Sequence, residues 1–218
     1  MFIGHLALGF AAKRLEPRVS LALLFVAAQF ADLLWPVLVA IGVEQVRIDP
    51  GNTAFTPLDF VSYPYSHSLL LLIVWGVALG VVCRRLVSSH RAIVVVIAGL
   101  VVSHWVLDFV THRPDMPLYP GGPRLGLGLW NSIPGTLAVE FALYAVGVWM
   151  YVRTTDARDA IGRWAFAALA AFLVLGYLAA VGTVPPSIPA LYISALAGAA
   201  VLTLWSWWAD KHRIPRST

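Results

Sequence analysis

The chain has 218 residues, of which 60% are hydrophobic and 12% are charged, with a formal net charge of +4. A soluble domain carries about twice that share of charged residues, so the composition excludes an ordinary soluble protein and predicts a single integral membrane domain over 1–218. The single Cys83 excludes an intramolecular disulfide and a cysteine-based zinc site. The basic residues form short, separate clusters, which argues against a nucleic-acid-binding surface.

The first apolar segment, residues 2–12, is too short to cross a bilayer. As a helix it rises about 16 Å, against a hydrocarbon core of about 30 Å, so we expect a half-inserted helix or an interfacial anchor. Six membrane-spanning helices are predicted after it, at about 19–43, 65–83, 92–112, 132–152, 163–182 and 189–208. The predicted fold class is therefore all-α, a polytopic bundle of six spans plus a short N-terminal helix.

The loop charges alternate along the chain. Clusters of Lys and Arg occupy every second connection and the C-terminal tail, at 13–18, 84–91, 153–163 and 211–216. Few or no basic residues lie in the other connections, at 44–64, 113–131 and 183–188. The positive-inside rule puts the basic segments and the C-terminus in the cytoplasm, as in a multi-pass protein of a bacterial-type inner membrane. The two long outer loops are rich in Pro and Gly; we expect no regular structure in 113–131, and loops of this kind usually cap a site.

A polar stripe lies in the third predicted span. His104, Asp108 and His112 are spaced at i, i+4 and i+8, which puts them on nearly one helix face. Polar side chains are costly in hydrocarbon, so such a stripe marks a functional site by default. Histidine and carboxylate are also the usual ligands of a zinc-like ion. His112 lies at the membrane boundary, and we expect it to face the outer loop rather than a metal.

Polar residues of other spans are predicted at a similar depth. The helical rise puts the following residues between about 6 and 18 Å below the outer surface: His5, Asp32, His104, Asp108 and Glu140, with His67 near the outer mouth of its span. Each alone has an ordinary alternative, such as an interfacial histidine, a helix cap or a buried ion pair. Their shared depth in five different segments predicts one cluster.

The order of these residues resembles that of a known family. The residues that carry the likeness are Gly4-His5, Asp32, Ser66-His67-Ser68 and the His-x-x-x-Asp of His104 and Asp108. Over about 1–115 they are similar to the membrane-bound metal-dependent hydrolases, the LexA-regulated inner-membrane family. A more distant likeness is to zinc-dependent phospholipase C, which implies a phosphoester substrate. The chain departs from the family pattern at two positions. It has one carboxylate, Asp32, where the family often has two, and it has Ser62 where the family often has a histidine.

These residues together predict a site for one or two divalent ions. Zinc fits the histidine content best, with manganese and iron as alternatives. The predicted metal ligands are His5, Asp32, His67, His104 and Asp108. The predicted catalytic residues are Glu140, as a ligand or base, and Asp32. The predicted substrate contacts are Arg113 and Arg124, which would hold an anionic phosphate, and Tyr65, which would line the access route of a lipid chain.

The predicted function is hydrolysis of a lipid-like phosphoester or ester at the outer side of the membrane. Two non-enzymatic alternatives stay open, a metal- or proton-linked transporter and a structural subunit held by buried ion pairs. A transporter needs polar residues through the inner halves of the spans, where the sequence is mostly Val, Ala, Leu and Ile. The metal site is predicted to lie in the first part of the domain, at about 1–152. The spans within 163–208 are predicted to be scaffold or an interface between copies, because they contain many Ala and Gly residues that allow close helix packing.

Overall fold

A computed structural model describes residues 1–87 and 90–216. In these residues the helices are α1 (Ile3–Ala12), α2 (Leu21–Ala28), α3 (Phe30–Ala40), α4 (Pro64–His67), α5 (Leu69–Leu86), α6 (Ala92–Thr111), α7 (Ile133–Thr154), α8 (Ala160–Ala180) and α9 (Ile188–Lys211). The strands are β1 (Gln45–Ile48), β2 (Leu58–Ser62), β3 (Met116–Pro117), β4 (Arg124–Leu125), β5 (Thr155–Ala157) and β6 (Arg213–Pro215), paired antiparallel as β1–β2, β3–β4 and β5–β6. The prediction of an all-α helical bundle is confirmed.

The long helices have the length and composition of membrane spans. Within the described residues, α5, α6, α7, α8 and α9 are each long and apolar enough to cross a membrane. The helices α2 and α3 make a sixth candidate, bent by 59° at the break between them. The expectation of one continuous helix over 19–43 is therefore wrong. The chain is a multi-pass helical protein whose first span is broken.

The break at Gln29 places two groups that matter for the site. Because α2 ends at Ala28, the carbonyl of Ala28 is one of the acceptors that a helix C-terminus leaves without an intrahelical partner. Because α3 begins at Phe30, Asp32 lies in its first turn, where the helix dipole favours a carboxylate. The bend thus leaves an acceptor and a carboxylate close together in the middle of an apolar segment.

The short helix α1 lies inside the bundle. Ile3, Leu6 and Phe10 are each at most 1% exposed. Gly147 of α7 permits the close approach of α1, since a Cβ added there would lie 2.4 Å from the carbonyl oxygen of Ala7. The interfacial-anchor alternative for residues 2–12 therefore does not hold, and α1 is a central element of the core.

The helices α5 and α6 pack through small residues. A Cβ added at Gly76 would lie 3.0 Å from the Cα of Ala98, and one added at Gly80 would lie 2.8 Å from the carbonyl oxygen of Val94. Small residues four apart allow two membrane helices to approach this closely. The contact fixes α6, which carries the polar stripe, against α5.

The four basic segments lie at one end of the bundle. The strand β5 pairs with β6 of the C-terminal tail, and the Nζ of Lys13 lies 2.5 Å from the Oδ2 of Asp210. The Nδ1 of His90 lies 3.2 Å from the Oε1 of Glu16, which joins the α5–α6 connection to the same end. This arrangement agrees with the predicted alternation of loops. That the basic end faces the cytoplasm stays a prediction.

The connections at the other end are ordered by main-chain hydrogen bonds. The amide of Phe55 donates to Trp130, and the amide of Gly182 donates to Phe55. The loop 113–131 contains the β3–β4 pair and a 3₁₀ turn at Leu129–Asn131, so the expectation of no regular structure there is wrong. The two long loops form one ordered cap over this end.

Candidate metal centre

The five predicted metal ligands meet at one place in the bundle. His5 comes from α1, Asp32 from α3, His67 from α4, and His104 and Asp108 from α6. The three histidines and Asp108 are each at most 3% exposed. We call these five residues the metal centre.

Asp108 lies in the middle of the metal centre. Its Oδ1 lies 3.0 Å from the Nε2 of His5, and its Oδ2 lies 3.1 Å from the Nε2 of His104. The Nε2 atoms of His67 and His112 lie 3.9 and 3.8 Å from the same Oδ2. The α-amino group of Met1 also donates to Asp108. Each carboxylate oxygen thus faces a different set of histidines, as a carboxylate that bridges two ions would.

Two sets of three ligands have the spacing that one ion requires. They are His5, His104 and Asp108, and Asp32, His67 and His104. In each set the ligand atoms lie within 4.8 Å of one another. Ligand atoms about 2.1 Å from an ion lie roughly 3–4 Å apart, so small side-chain movements would complete either site. His104 belongs to both sets but offers only its Nε2, so with two ions it would serve one of them and Asp108 would be the bridge.

The protonation of His104 follows from its partners. Its Nδ1 lies 2.9 Å from the carbonyl oxygen of Ala28, which can only accept, so Nδ1 carries the proton. In the neutral ring Nε2 is then a lone pair, and it faces the Oδ2 of Asp108, another acceptor. Within the described residues, His104 Nε2 is buried without a hydrogen-bond partner. Two acceptors 3.1 Å apart need either a cation between them or a second proton on His104.

His67 is held in the same way through two further residues. The Oγ of Ser66 lies 2.6 Å from the Oε2 of Glu44 and donates its proton there. The same Oγ lies 2.7 Å from the Nδ1 of His67, so it must accept a hydrogen bond from the N–H of that nitrogen. The Nε2 of His67 is thereby left free toward Asp32, 3.5 Å away. Such outer hydrogen bonds are the usual means by which proteins orient a metal-binding histidine.

His112 faces both the loop and the metal centre. Its Nδ1 lies 2.9 Å from the Oδ1 of Asp115, which agrees with the expected loop contact, but the side chain is only 3% exposed and its Nε2 points to Asp108. The hydroxyl of Tyr63 donates to the same Asp115 oxygen at 2.7 Å. Burial and the neighbouring carboxylate of Asp115 raise the pKa of the Tyr63 phenol well above its ordinary value, so it stays a donor.

Glu140 holds the start of α1. Its Oε2 accepts hydrogen bonds from the amides of Phe2 at 2.9 Å and Gly4 at 3.1 Å. These amides are among those that a helix N-terminus leaves without partners. Glu140 is therefore placed to position α1, and with it His5. Its predicted role as ligand or base stays a prediction.

The predicted substrate contacts lie outside the metal centre. The guanidinium of Arg113 bonds to Asn52, Asp59 and Asp115, so it ties the two outer loops together. Arg124 is exposed and donates to the carbonyl of Val61 at 3.0 Å. Tyr65 is 46% exposed, and its amide donates to Glu44. Contact of Arg113, Arg124 or Tyr65 with a substrate stays a prediction.

The sequence does not predict three features of the site, which are Glu44, Asp115 and the buried side of His112. Asp115 has a local signal, since it follows His112 at i+3. Glu44 has none, because it meets Ser66 only through the fold of the β1–β2 loop. Residues that orient ligands across loops carry no spacing of their own.

Among the five candidate ligands, Asp32 is the one whose side chain can be reached from outside the cluster. Its side chain is 39% exposed and lines a cavity of about 440 Å³ between α2, α3, α8 and α9. The Oδ1 of the same carboxylate lies 3.5 Å from the Nε2 of His67 and 3.7 Å from that of His104. A molecule in the cavity would therefore lie next to the metal centre.

Comparisons of the chain with protein-family models, with curated proteins and with solved structures find no match. The donor set of nitrogen and carboxylate oxygen fits zinc, and also manganese or iron.

Proposed function

We propose that the protein is a membrane-embedded, metal-dependent hydrolase that acts on a lipid-like phosphoester or ester toward the outer side of the membrane. The observation that carries the proposal is the pair formed by His104 Nε2 and Asp108 Oδ2, two acceptors 3.1 Å apart in a buried place. A divalent ion, zinc above all, satisfies both atoms at once. The resemblance of the motif order to membrane-bound metal-dependent hydrolases supports the same conclusion.

The roles of the residues follow from their positions. His5, His67, His104 and Asp108 bind one or two ions, and a bound ion lowers the pKa of a coordinated water toward neutrality. Asp32 lies in the cavity wall with its Oδ1 3.5 Å from the Nε2 of His67, so when it is not an ion ligand it is the carboxylate best placed to accept the proton of the attacking water. Glu140 contributes by holding the helix that carries His5.

The rival function is a structural or proton-linked network without a metal. It requires His104 to carry a second proton, which would then bond to Asp108. Such a pair is a buried salt bridge, and it would hold the bundle without any catalysis. The two functions differ in whether the purified protein contains an ion.

The first test is the metal content of the detergent-purified protein by elemental mass spectrometry. We expect about one or two zinc, manganese or iron ions per chain, as in other hydrolytic metal sites. The double variant His104→Ala, Asp108→Ala should lose them, whereas His90→Ala, a histidine of the basic end, should retain them. A wild-type protein that stays metal-free after metal is added back would overturn the proposal in favour of the network.

If the metal is present, hydrolysis is tested on phosphoester and ester lipids reconstituted with the protein. We expect release of product by the wild type and by His90→Ala, and none by the double variant. Metal binding without hydrolysis of either lipid class would contradict the proposed activity.

A further inference from the structure

A cavity of about 440 Å³ lies beside the metal centre. Its walls are mostly apolar side chains, among them Phe25, Leu33 and Trp35 on one side and Phe172 and Leu202 on the other. The volume lies within the range of about 300–1,000 Å³ that is usual for small-molecule sites. The cavity is thus large enough for part of a lipid.

Small residues of α8 and α9 create this space. Gly176 and Ala180 of α8 and Ala195, Gly198 and Ala199 of α9 line the cavity. A Cβ added at Gly176 or at Gly198 would meet no atom within 4 Å. The glycines therefore face open space, in contrast to Gly147, where a Cβ would meet backbone. The sequence predicts the last two spans to be scaffold or an interface between copies, and in the structure they also line a cavity.

The described wall of the cavity carries one ionisable side chain. Asp32 is the one ionisable residue among the described residues that line it, and its Oδ1 lies 3.5 Å from the Nε2 of His67 and 3.7 Å from that of His104. Phe172 and Val201, which also line the cavity, are 45% and 49% exposed, so the cavity reaches the outer face of the bundle. Around a multi-pass helical protein that face is covered by lipid chains.

We infer that the cavity binds one acyl chain of the lipid substrate and so places the bond to be hydrolysed at Asp32. The inference rests on the proposed function and names the part of the substrate that α8 and α9 recognise. An acyl chain that enters the cavity exchanges the apolar bilayer for apolar side chains, so its transfer contributes little binding affinity. Its contribution is position, since a held chain brings the headgroup linkage to the metal centre in one orientation.

The inference also assigns a direction of approach. The access route predicted from the sequence ran past Tyr65 in the outer loops, whereas the cavity opens between helices. A chain entering there comes sideways from the bilayer and needs no passage through the ordered cap. The substrate class is therefore a membrane lipid with at least one acyl chain.

The test uses a single-chain phospholipid that carries a diazirine in its acyl chain. It is photolysed with the purified protein in detergent, and the labelled peptides are mapped by mass spectrometry. A chain in the cavity gives label on α8 and α9 that saturates and is removed by excess unlabelled lysophospholipid. Lipid on the outer surface gives label that is not competed.

The variants separate the cavity from the rest of the surface. Gly176→Leu with Gly198→Leu fills open space, so we expect folding to persist and the competed label to be lost. Gly99→Leu is the matched control, because Gly99 of α6 is exposed, also has open space around it and lies outside the cavity. It should retain the label. Equal label in the filled variant and the control would overturn the inference.

Two further outcomes distinguish this inference from the proposed function. His104→Ala should keep the competed label, because the chain is bound by α8 and α9 and not by the metal. Metal binding without any competed label would overturn the acyl-chain site alone. A competed label in a metal-free protein would support the site and overturn the hydrolase. If no lipid label is found, a separate experiment with a bifunctional cross-linker that joins α9 to a second copy of the chain would identify a subunit interface and overturn the site.

Discussion

At the scale of single residues, the site depends on which histidine nitrogen carries a proton. Three histidines each donate a hydrogen bond from Nδ1, to Ala28, Ser66 and Asp115 respectively, and each thereby keeps its Nε2 unprotonated. The acceptors are a helix-end carbonyl, a hydroxyl and a carboxylate, so no common motif supplies them. What they share is that all three rings are fixed before any ion binds.

The Glu44–Ser66–His67 connection gives the sharpest single-residue prediction. Ser66→Ala removes the acceptor of the His67 Nδ1 proton, so we expect the affinity for metal to fall by about 10–100-fold, as for other outer-sphere partners. Affinity is measured by competition with a chelator of known strength.

The matched control is Ser68→Ala on the other side of the same histidine. The Oγ of Ser68 is buried and has no hydrogen-bond partner in the described structure, so its removal should leave the affinity unchanged. Equal affinities for the two variants would show that Ser66 does not orient His67.

The two carboxylates of the metal centre should respond differently to conversion to amide. Asp108 belongs to one ligand set, and its Oδ2 also lies 3.9 Å from the Nε2 of His67 in the other set, so Asp108→Asn should lower metal affinity by more than the roughly 100-fold upper limit expected for an outer partner. Asp32→Asn should keep an ion at His5, His104 and Asp108 but lower hydrolysis by about 10²–10⁴-fold. Elemental analysis and the hydrolysis assay measure the two effects. Loss of all metal from Asp32→Asn would contradict the division into two ligand sets.

At this scale the sequence predicts which polar side chains meet better than it predicts the residues that support them. His104 and Asp108 are predicted by helical spacing, and His5, Asp32 and His67 by their depth in an apolar chain. Glu44 reaches Ser66 only through the fold of the β1–β2 loop, and the acceptor of His104 is a backbone carbonyl. Such partners are set by tertiary contacts, which spacing and depth do not encode.

At the scale of elements, the position of α1 against α7 controls His5. Gly147→Ala would put a Cβ 2.4 Å from the carbonyl oxygen of Ala7, and backbone cannot yield cheaply there. Overpacking of this kind costs about 1–3 kcal/mol, so we expect a lower melting temperature. Because α1 must move, we also expect weaker metal binding. Both are measured on the same purified protein, by thermal unfolding and chelator competition.

The control for that substitution is Gly99→Ala on α6. No atom lies within 4 Å of a Cβ added at Gly99, so nothing opposes the gain in helix propensity, which is at most about 1 kcal/mol. The melting temperature should stay or rise, and metal binding should not change. A Gly147→Ala protein that behaves like Gly99→Ala would mean that α1 is not held by this contact.

The break between α2 and α3 is the element that the sequence hides. Residues 21–43 are apolar except at Gln29 and Asp32, and Pro36 lies after the break rather than at it. At the break the carbonyl of Ala28, which a continuous helix would pair within itself, accepts a hydrogen bond from His104 of α6. A bend that a neighbouring helix stabilises has no local signal, so hydropathy alone predicts a straight span.

At the scale of the whole molecule, the two ends of the bundle differ in charge and in construction. One end joins basic segments through β5–β6 and the Lys13–Asp210 ion pair, and the other joins two ordered loops through main-chain hydrogen bonds. Burial lowers the pKa of Lys13, and Asp210 opposes that effect. The alternation of loop charge predicts this division correctly. The cavity is not predicted, because α8 and α9 show only a generic apolar pattern in sequence.

The orientation of the two ends in the membrane gives the last prediction. If the positive-inside rule holds, the basic end is cytoplasmic, so a cysteine there is hidden from a reagent that cannot cross the membrane. In a Cys83→Ser background, Leu15→Cys of the basic end and Leu127→Cys of the ordered cap provide a matched pair, since the two leucines are 69% and 67% exposed. An impermeant maleimide added to intact spheroplasts should label Leu127→Cys only, and both after lysis. Labelling of Leu15→Cys alone before lysis would show the inverted topology. The metal centre would then lie toward the cytoplasmic side, and the proposed lipid substrate would have to be in the inner leaflet.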